Sequence, residues 1–249
     1  LDQAVLNAIA IILVAVLPSI AYLIWIRNTE RRSREPYSRL VIIFLIGATL
    51  SIAAAVALEL LLMELLDTNI ERVYQILGED PNLSSLILAC VIAPIVEELA
   101  KAIGIFQSRK RMTELENGIV FGAAAGLGFA ATENLLYEGA AFLSAGAAAW
   151  IATAVVRSLS SALLHATASS LLGLGIARSV LGKSSWLPYY LGAVIMHGLF
   201  NFAASFGQLY ESDFGAVAYL IGLGAAFVIA ILGISIMRSR IRSLERHGR

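Results

Sequence analysis

In the stretch VIAPIVEELAKAIGIF, from Val91 to Phe106, only Glu97, Glu98 and Lys101 are charged. On a helix Lys101 points between the two glutamates, three and four residues earlier, so all three share one face. One lysine cannot neutralise two glutamates, which argues against a self-contained salt bridge. Burial alone would protonate a carboxylate, whereas a neighbouring ammonium keeps it ionised and able to accept a proton. Pro94 cannot donate to the carbonyl of Cys90, so a kink is expected, and a freed acceptor is tolerated where it lines a wet cavity. MHGLFN sets His197 and Asn201 four apart on one helical face, and His165 is the only other histidine ahead of His247. FGAAAGLGFAATENLLY ends with Glu133 and Asn134, for which Arg157 is a candidate counter-ion. These residue types suit acid–base catalysis or metal binding. No HExxH occurs, no aspartate falls inside an apolar span, and the Gly-x-Ser at Ser235 has no histidine in its span.

The positioning elements must be membrane helices. Hydrophobic residues make up 59% of the chain and charged residues 14%, against roughly 45–50% and 25% in soluble domains. Apolar runs at Ala4 to Ile26, Leu40 to Leu66, Leu86 to Phe106, Asn117 to Tyr137, Leu187 to Gly207 and Gly215 to Met237 are each long enough to cross a bilayer. The run from Gly139 to Ala177 is too long for one crossing. It reads either as a short outer segment, Gly139 to Ala148, before one long helix from about Ala149, or as two spans. With seven spans and the N-terminus outside, the cytoplasmic segments 27–39, 107–116, 178–186 and 238–249 hold fifteen of the eighteen basic residues. The expected fold is therefore all-α: a polytopic membrane helical bundle of about seven transmembrane helices, with a cytoplasmic C-terminus. It forms a single integral membrane domain, 1–249, with DTNIERVYQILGEDPNLSS as an outer loop. Eighteen basic and eighteen acidic residues cancel, which leaves no case for nucleic acid as a partner.

Glu97, Glu98, Lys101, Glu133 and Arg157 facing lipid independently would cost roughly 12–17 kcal/mol, so they must face one another or a hydrated cavity. Counted from the cytoplasmic ends, Glu98, His197, His165, Asn201 and Glu133 lie at about 12, 15, 18, 21 and 24 Å, one layer supplied by four spans. Gly122, Gly126 and Gly128 are expected to serve close helix packing, Ser158, Ser160, Ser161, Ser169 and Ser170 to act as interhelical glue, and Glu59 and Glu64 to be interfacial.

Glu97-Glu98-x-x-Lys101, Glu133-Asn134, Arg157 ahead of His165, and His197-x-x-x-Asn201 resemble, in this order, the PrsW-type intramembrane proteases, relatives of the type II CAAX prenyl endopeptidases. The resemblance covers about Leu86 to Phe206, which marks 86–206 as the catalytic core. Ser161 stands where the wider superfamily often has Phe, and the prenyl endopeptidases carry an arginine one residue after the position of Lys101; both departures favour the PrsW branch. The resemblance implies a multi-pass cell-membrane protease that cuts a single-pass membrane protein substrate, typically the first cleavage of an anti-sigma factor. Glu97, supported by Glu98, would be the general base, with His165 helping to hold water and His197 and Asn201 donating to the oxyanion. Alternatively His165, His197 and Glu97 would bind Zn²⁺. The residue types allow either, with a metal-free resting site or a labile metal slightly preferred. A proton-coupled transporter would also bury such charges, but two related halves with broken helices are missing. A non-catalytic scaffold of the same superfamily is the other competing reading.

Overall fold

The computed structural model describes residues 2–31, 34–80 and 82–247. Arg32 and Arg249, two of the basic residues counted above, lie outside them. Among the described residues every regular element is helical: α1 (Gln3–Arg27), α2 (Tyr37–Ile46), a π turn (Gly47–Ser51), α3 (Ile52–Thr68), α4 (Ile70–Leu77) and α5 (Leu83–Ile87). A second π turn (Leu88–Ile92) leads into α6 (Ala93–Gln107), followed by a 3-10 turn (Arg109–Arg111), α7 (Leu115–Leu159), α8 (Ser161–Val180), α9 (Leu187–Phe214) and α10 (Ala216–His247). Among the described residues five stretches are long and apolar enough to cross a membrane: Gln3–Arg27, Tyr37–Thr68, Leu115–Val180, Leu187–Phe214 and Ala216–Arg246. The expected outer loop contains α4 and the first residues of α5 instead. Ile70, Val73, Tyr74 and Leu77 give α4 an amphipathic spacing that turn residues alone do not reveal.

The first arm of α7 is the central post. Every residue from Leu115 to Ala131 is buried, as expected of a helix that is apolar all round. Gly126 meets the backbone carbonyl of His165, and Gly122 that of Ser169, too closely for any Cβ. These contacts press α8 against α7 and so fix the depth of His165. The chain then reverses at Gly146 (φ 79°), a backbone conformation that suits glycine. Trp150 Nε1 donates to Glu138 (3.0 Å) and Arg157 Nη2 to Glu133 (2.6 Å), pairs twelve and 24 residues apart that only antiparallel arms can make. The expected long helix from about Ala149 is interrupted: Ser160 leaves helical geometry (φ −124°), and α8 begins beyond it.

The two π turns bracket the region of the buried charges. A π turn widens the helix and loosens its backbone hydrogen bonding. The carbonyl of Ala48, in the first, accepts from Thr132 Oγ1 at 2.7 Å. That of Ala89, in the second, accepts from Asn201 Nδ2 at 2.8 Å. Gly198 packs against the Cys90 carbonyl that Pro94 cannot satisfy; a Cβ there would sit 2.5 Å from it. The expected kink thus takes the form of a π turn clamped by α9.

At the arginine-rich end, the α1–α2 connection ties four helices together. Glu35 accepts from Asn117 Nδ2 (2.7 Å) and Arg39 (2.5 Å), and Arg238 Nε donates to Thr29 (2.9 Å). Glu30 is buried, accepts from the Glu35 N–H (3.0 Å), and among the described residues its Oε1 has no partner. Burial, aided by the neighbouring carboxylates of Glu35, Glu245 and Glu116, pushes Glu30 from 4.5 up to about 8 against the pull of that hydrogen bond. The proton held by Glu30 in the folded state therefore stabilises fully below 4.5, and its contribution is lost as pH rises through about 8. Thermal unfolding in detergent should show stability falling between about pH 5 and 9, with a flatter profile in Glu30→Gln; parallel profiles would contradict this.

Candidate active site

Lys101 is the hub. Its Nζ donates to Glu98 Oε1 (2.8 Å), Glu97 Oε2 (3.1 Å) and His165 Nδ1 (2.8 Å), which matches three donors to three acceptors. The side chain is 0% exposed, and the ammonium lies 4.2 Å from the centroid of the Phe129 ring. The i, i+3 and i+4 spacing on α6 supplies two of the contacts, and α8, pressed onto α7 at Gly126, supplies the third.

The two glutamates differ sharply in environment. Glu98 has both oxygens engaged: Oε1 with Lys101 and with His197 Nδ1 (3.0 Å), and Oε2 with Ser169 Oγ (3.2 Å). Glu97 instead lines a cavity of about 490 Å³, together with Glu133, Arg157, His165 and Asn201. Its Oε2 faces His197 Nε2 at 3.9 Å and His165 Nδ1 at 4.0 Å. His197, Glu98 and Lys101 stand behind this wall, with the two imidazole rings 4.9 Å apart and nearly perpendicular.

A second ion pair backs His165. Glu133 Oε2 accepts from Arg157 Nη2 (2.6 Å) and meets His165 Nε2 (2.8 Å). Arg157 also donates to Asn134 Oδ1 (2.8 Å) and Ser161 Oγ (3.1 Å), and its guanidinium stacks 3.9 Å over Tyr137. A carboxylate only accepts, so His165 carries its proton on Nε2 and His197 on Nδ1. The ring nitrogens that remain as acceptors, His165 Nδ1 and His197 Nε2, both face Glu97. Imidazoles backed by carboxylates in this way are the usual supports of a metal site. One ligand atom each from Glu97, His165 and His197 lie within 4.8 Å of one another. The donor set fits zinc, although Lys101 already occupies the His165 Nδ1 acceptor and would have to yield it.

The residues singled out by spacing are thus joined in one network, except Asn201, which is held on the cavity wall by Ala89. Spacing understated two of the serines. Ser169 lies one helical turn after His165 and holds Glu98, while Ser161 holds Arg157. Glu59, expected at the interface, lines the cavity, whereas Glu64 is exposed. The signal for Glu59 was the i, i+3, i+4, i+7 face of Ile52, Ala55, Val56 and Glu59. Replacing Lys101 with Met strands two buried carboxylates and should lower unfolding stability by about 3–5 kcal/mol. Denaturation of the purified protein measures this, and a loss below about 1 kcal/mol would remove Lys101 from its central place.

Comparison with known proteins agrees with this architecture. The profile of a family described as PrsW family intramembrane metalloprotease matches residues 35–234. Protease PrsW of Clostridioides difficile (strain 630) is 30% identical over 199 residues, which cover 76% of this chain and 77% of that protein. No solved structure matches the chain.

Proposed function

The chain belongs to the PrsW family and is an intramembrane protease; from that premise we propose that it hydrolyses a peptide bond of a single-pass membrane protein, with water activated at Glu97, His165 and His197. The substrate type is an anti-sigma factor, and the cut is the first in its release. The observation that carries the reading is the convergence of Glu97 Oε2 and two acceptor imidazole nitrogens beside a polar cavity.

Glu97 is the base rather than Glu98, because only Glu97 lines the cavity while both oxygens of Glu98 are spent. Glu97 Oε2 faces the two imidazole acceptors, which leaves Oε1 to take the proton of the attacking water and return it to the leaving amine. Asn201 Nδ2 uses one N–H on Ala89 and keeps the other for the developing oxyanion. The sequence suggested that His197 would donate there too. Its Nδ1 proton goes to Glu98, so its Nε2 serves as an acceptor, suited to water or a metal. The family's description and the mutual reach of the three ligand atoms shift the preference from a metal-free site to one in which Glu97, His165 and His197 hold zinc. Zinc held there would supply a Lewis acid and lower the pKa of bound water.

The bundle crosses the membrane seven times in this reading, with the N-terminus outside and the core at 86–206. The helical run from Leu83 to Gln107 adds one crossing to the five long apolar stretches, and Leu115–Val180 counts as two, the first arm of α7 and the second arm with α8. With a single-pass substrate in proteoliposomes, Glu97→Gln, His165→Ala and His197→Ala should each lose at least about 100-fold in cleavage rate. Undiminished cleavage in the three variants would sink this assignment.

A further inference from the structure

Four carboxylates meet in and directly behind the cavity: Glu59, Glu97, Glu98 and Glu133. Among the described residues only two cations answer them, and both are committed. Lys101 serves Glu97 and Glu98, and Arg157 serves Glu133. Among the described residues no hydrogen bond or ion pair reaches Glu59, and its Oε1 is enclosed without a partner. An acidic side chain left without a cation in a membrane-embedded wall is one that a ligand's cation can answer.

The position of Glu59 gives it a use. Ala55, one turn earlier on α3, packs with Val96 and Ala100 beside the Glu97 helical turn, so it marks the catalytic level. Glu59 lies about 6 Å further along the same face. Opposite it, α9 lines the cavity from Asn201 through Ser205 to Gln208. A second cavity of about 260 Å³ shares Ala89, Ser205 and Gln208 and continues to Asn82. The space is therefore a slot that runs from Glu97 past Glu59. An extended peptide placed with its scissile bond at Glu97 reaches Glu59 two or three residues away, at about 3.3 Å per residue.

Resting on the protease reading above, we propose that Glu59 selects substrates carrying a lysine or arginine two or three residues to one side of the scissile bond. Glu59 is a specificity residue here, since the proton transfers belong to Glu97.

The test scans Lys, Arg and Gln through the three positions on each side of the cut in a single-pass substrate. Cleavage is followed with wild type, Glu59→Gln and Glu59→Lys, and binding is measured on the inactive Glu97→Gln protein with and without Glu59→Gln. In the wild type one position should favour the basic residue over Gln by about tenfold in kcat/KM, and in the Glu97→Gln background by about tenfold in Kd. Glu59→Gln should bring both ratios to about one, and Glu59→Lys should turn the preference toward acidic residues. Ratios that survive Glu59→Gln, or the absence of any basic preference in the wild type, would overturn the proposal. The binding arm needs no turnover. Failure of the hydrolytic reading would therefore show in cleavage, and failure of this one in the binding ratio.

Discussion

A lysine ammonium fully enclosed within a membrane protein is tolerated only if its charge is answered on the spot, and the rest of this bundle follows from answering Lys101. Its three donors fix Glu97, Glu98 and His165 relative to one another. Glu98, held at its other oxygen by Ser169, positions His197. Glu133, held by Arg157, positions His165. Each imidazole is thus backed by a carboxylate that is itself pinned by a cation. Of the two glutamates that Lys101 holds, Glu97 keeps a face toward the cavity and Glu98 does not. That difference is what makes Glu97, rather than Glu98, the proposed base.

The cavity exists because the helices around it are not regular. Two π turns replace ordinary helix at Gly47–Ser51 and Leu88–Ile92, and Thr132 and Asn201 capture carbonyls within them. The small residues of α7 work in the opposite sense. They draw α8 close enough for His165 to reach Lys101, while the hairpin at Gly146 folds Arg157 back onto Glu133. Tight packing on one side and widened turns on the other set a polar slot beside a dense apolar core.

Much of the site was legible because ionisable residues are conspicuous in apolar sequence. Glu97, Glu98 and Lys101 announce a shared face by spacing alone, and the depth count brought His165, His197 and Glu133 to the same layer. Family membership then decides between readings that residue types left open, favouring the protease over a transporter or a scaffold. What spacing could not convey was which hydrogen bond each group makes. That His197 gives its proton to Glu98, and so offers an acceptor, depends on the approach of α9 to α6. Glu59 looked interfacial because its distance from the helix end says nothing about which wall it joins. The outer segment was read as loop because α4 is short, and the break at Ser160 carries no glycine or proline to signal it.

The central claim is that Glu97, His165 and His197 form one metal-holding hydrolytic centre. Zinc titration of the purified protein, followed by absorption spectroscopy at the zinc edge, tests it most directly. The account predicts one ion per chain, ligated by two imidazole nitrogens at about 2.0–2.1 Å and one carboxylate, with affinity collapsing in His197→Ala. Zinc binding that is indifferent to His197→Ala and Glu97→Gln, or full cleavage by protein shown to be free of metal, would contradict it.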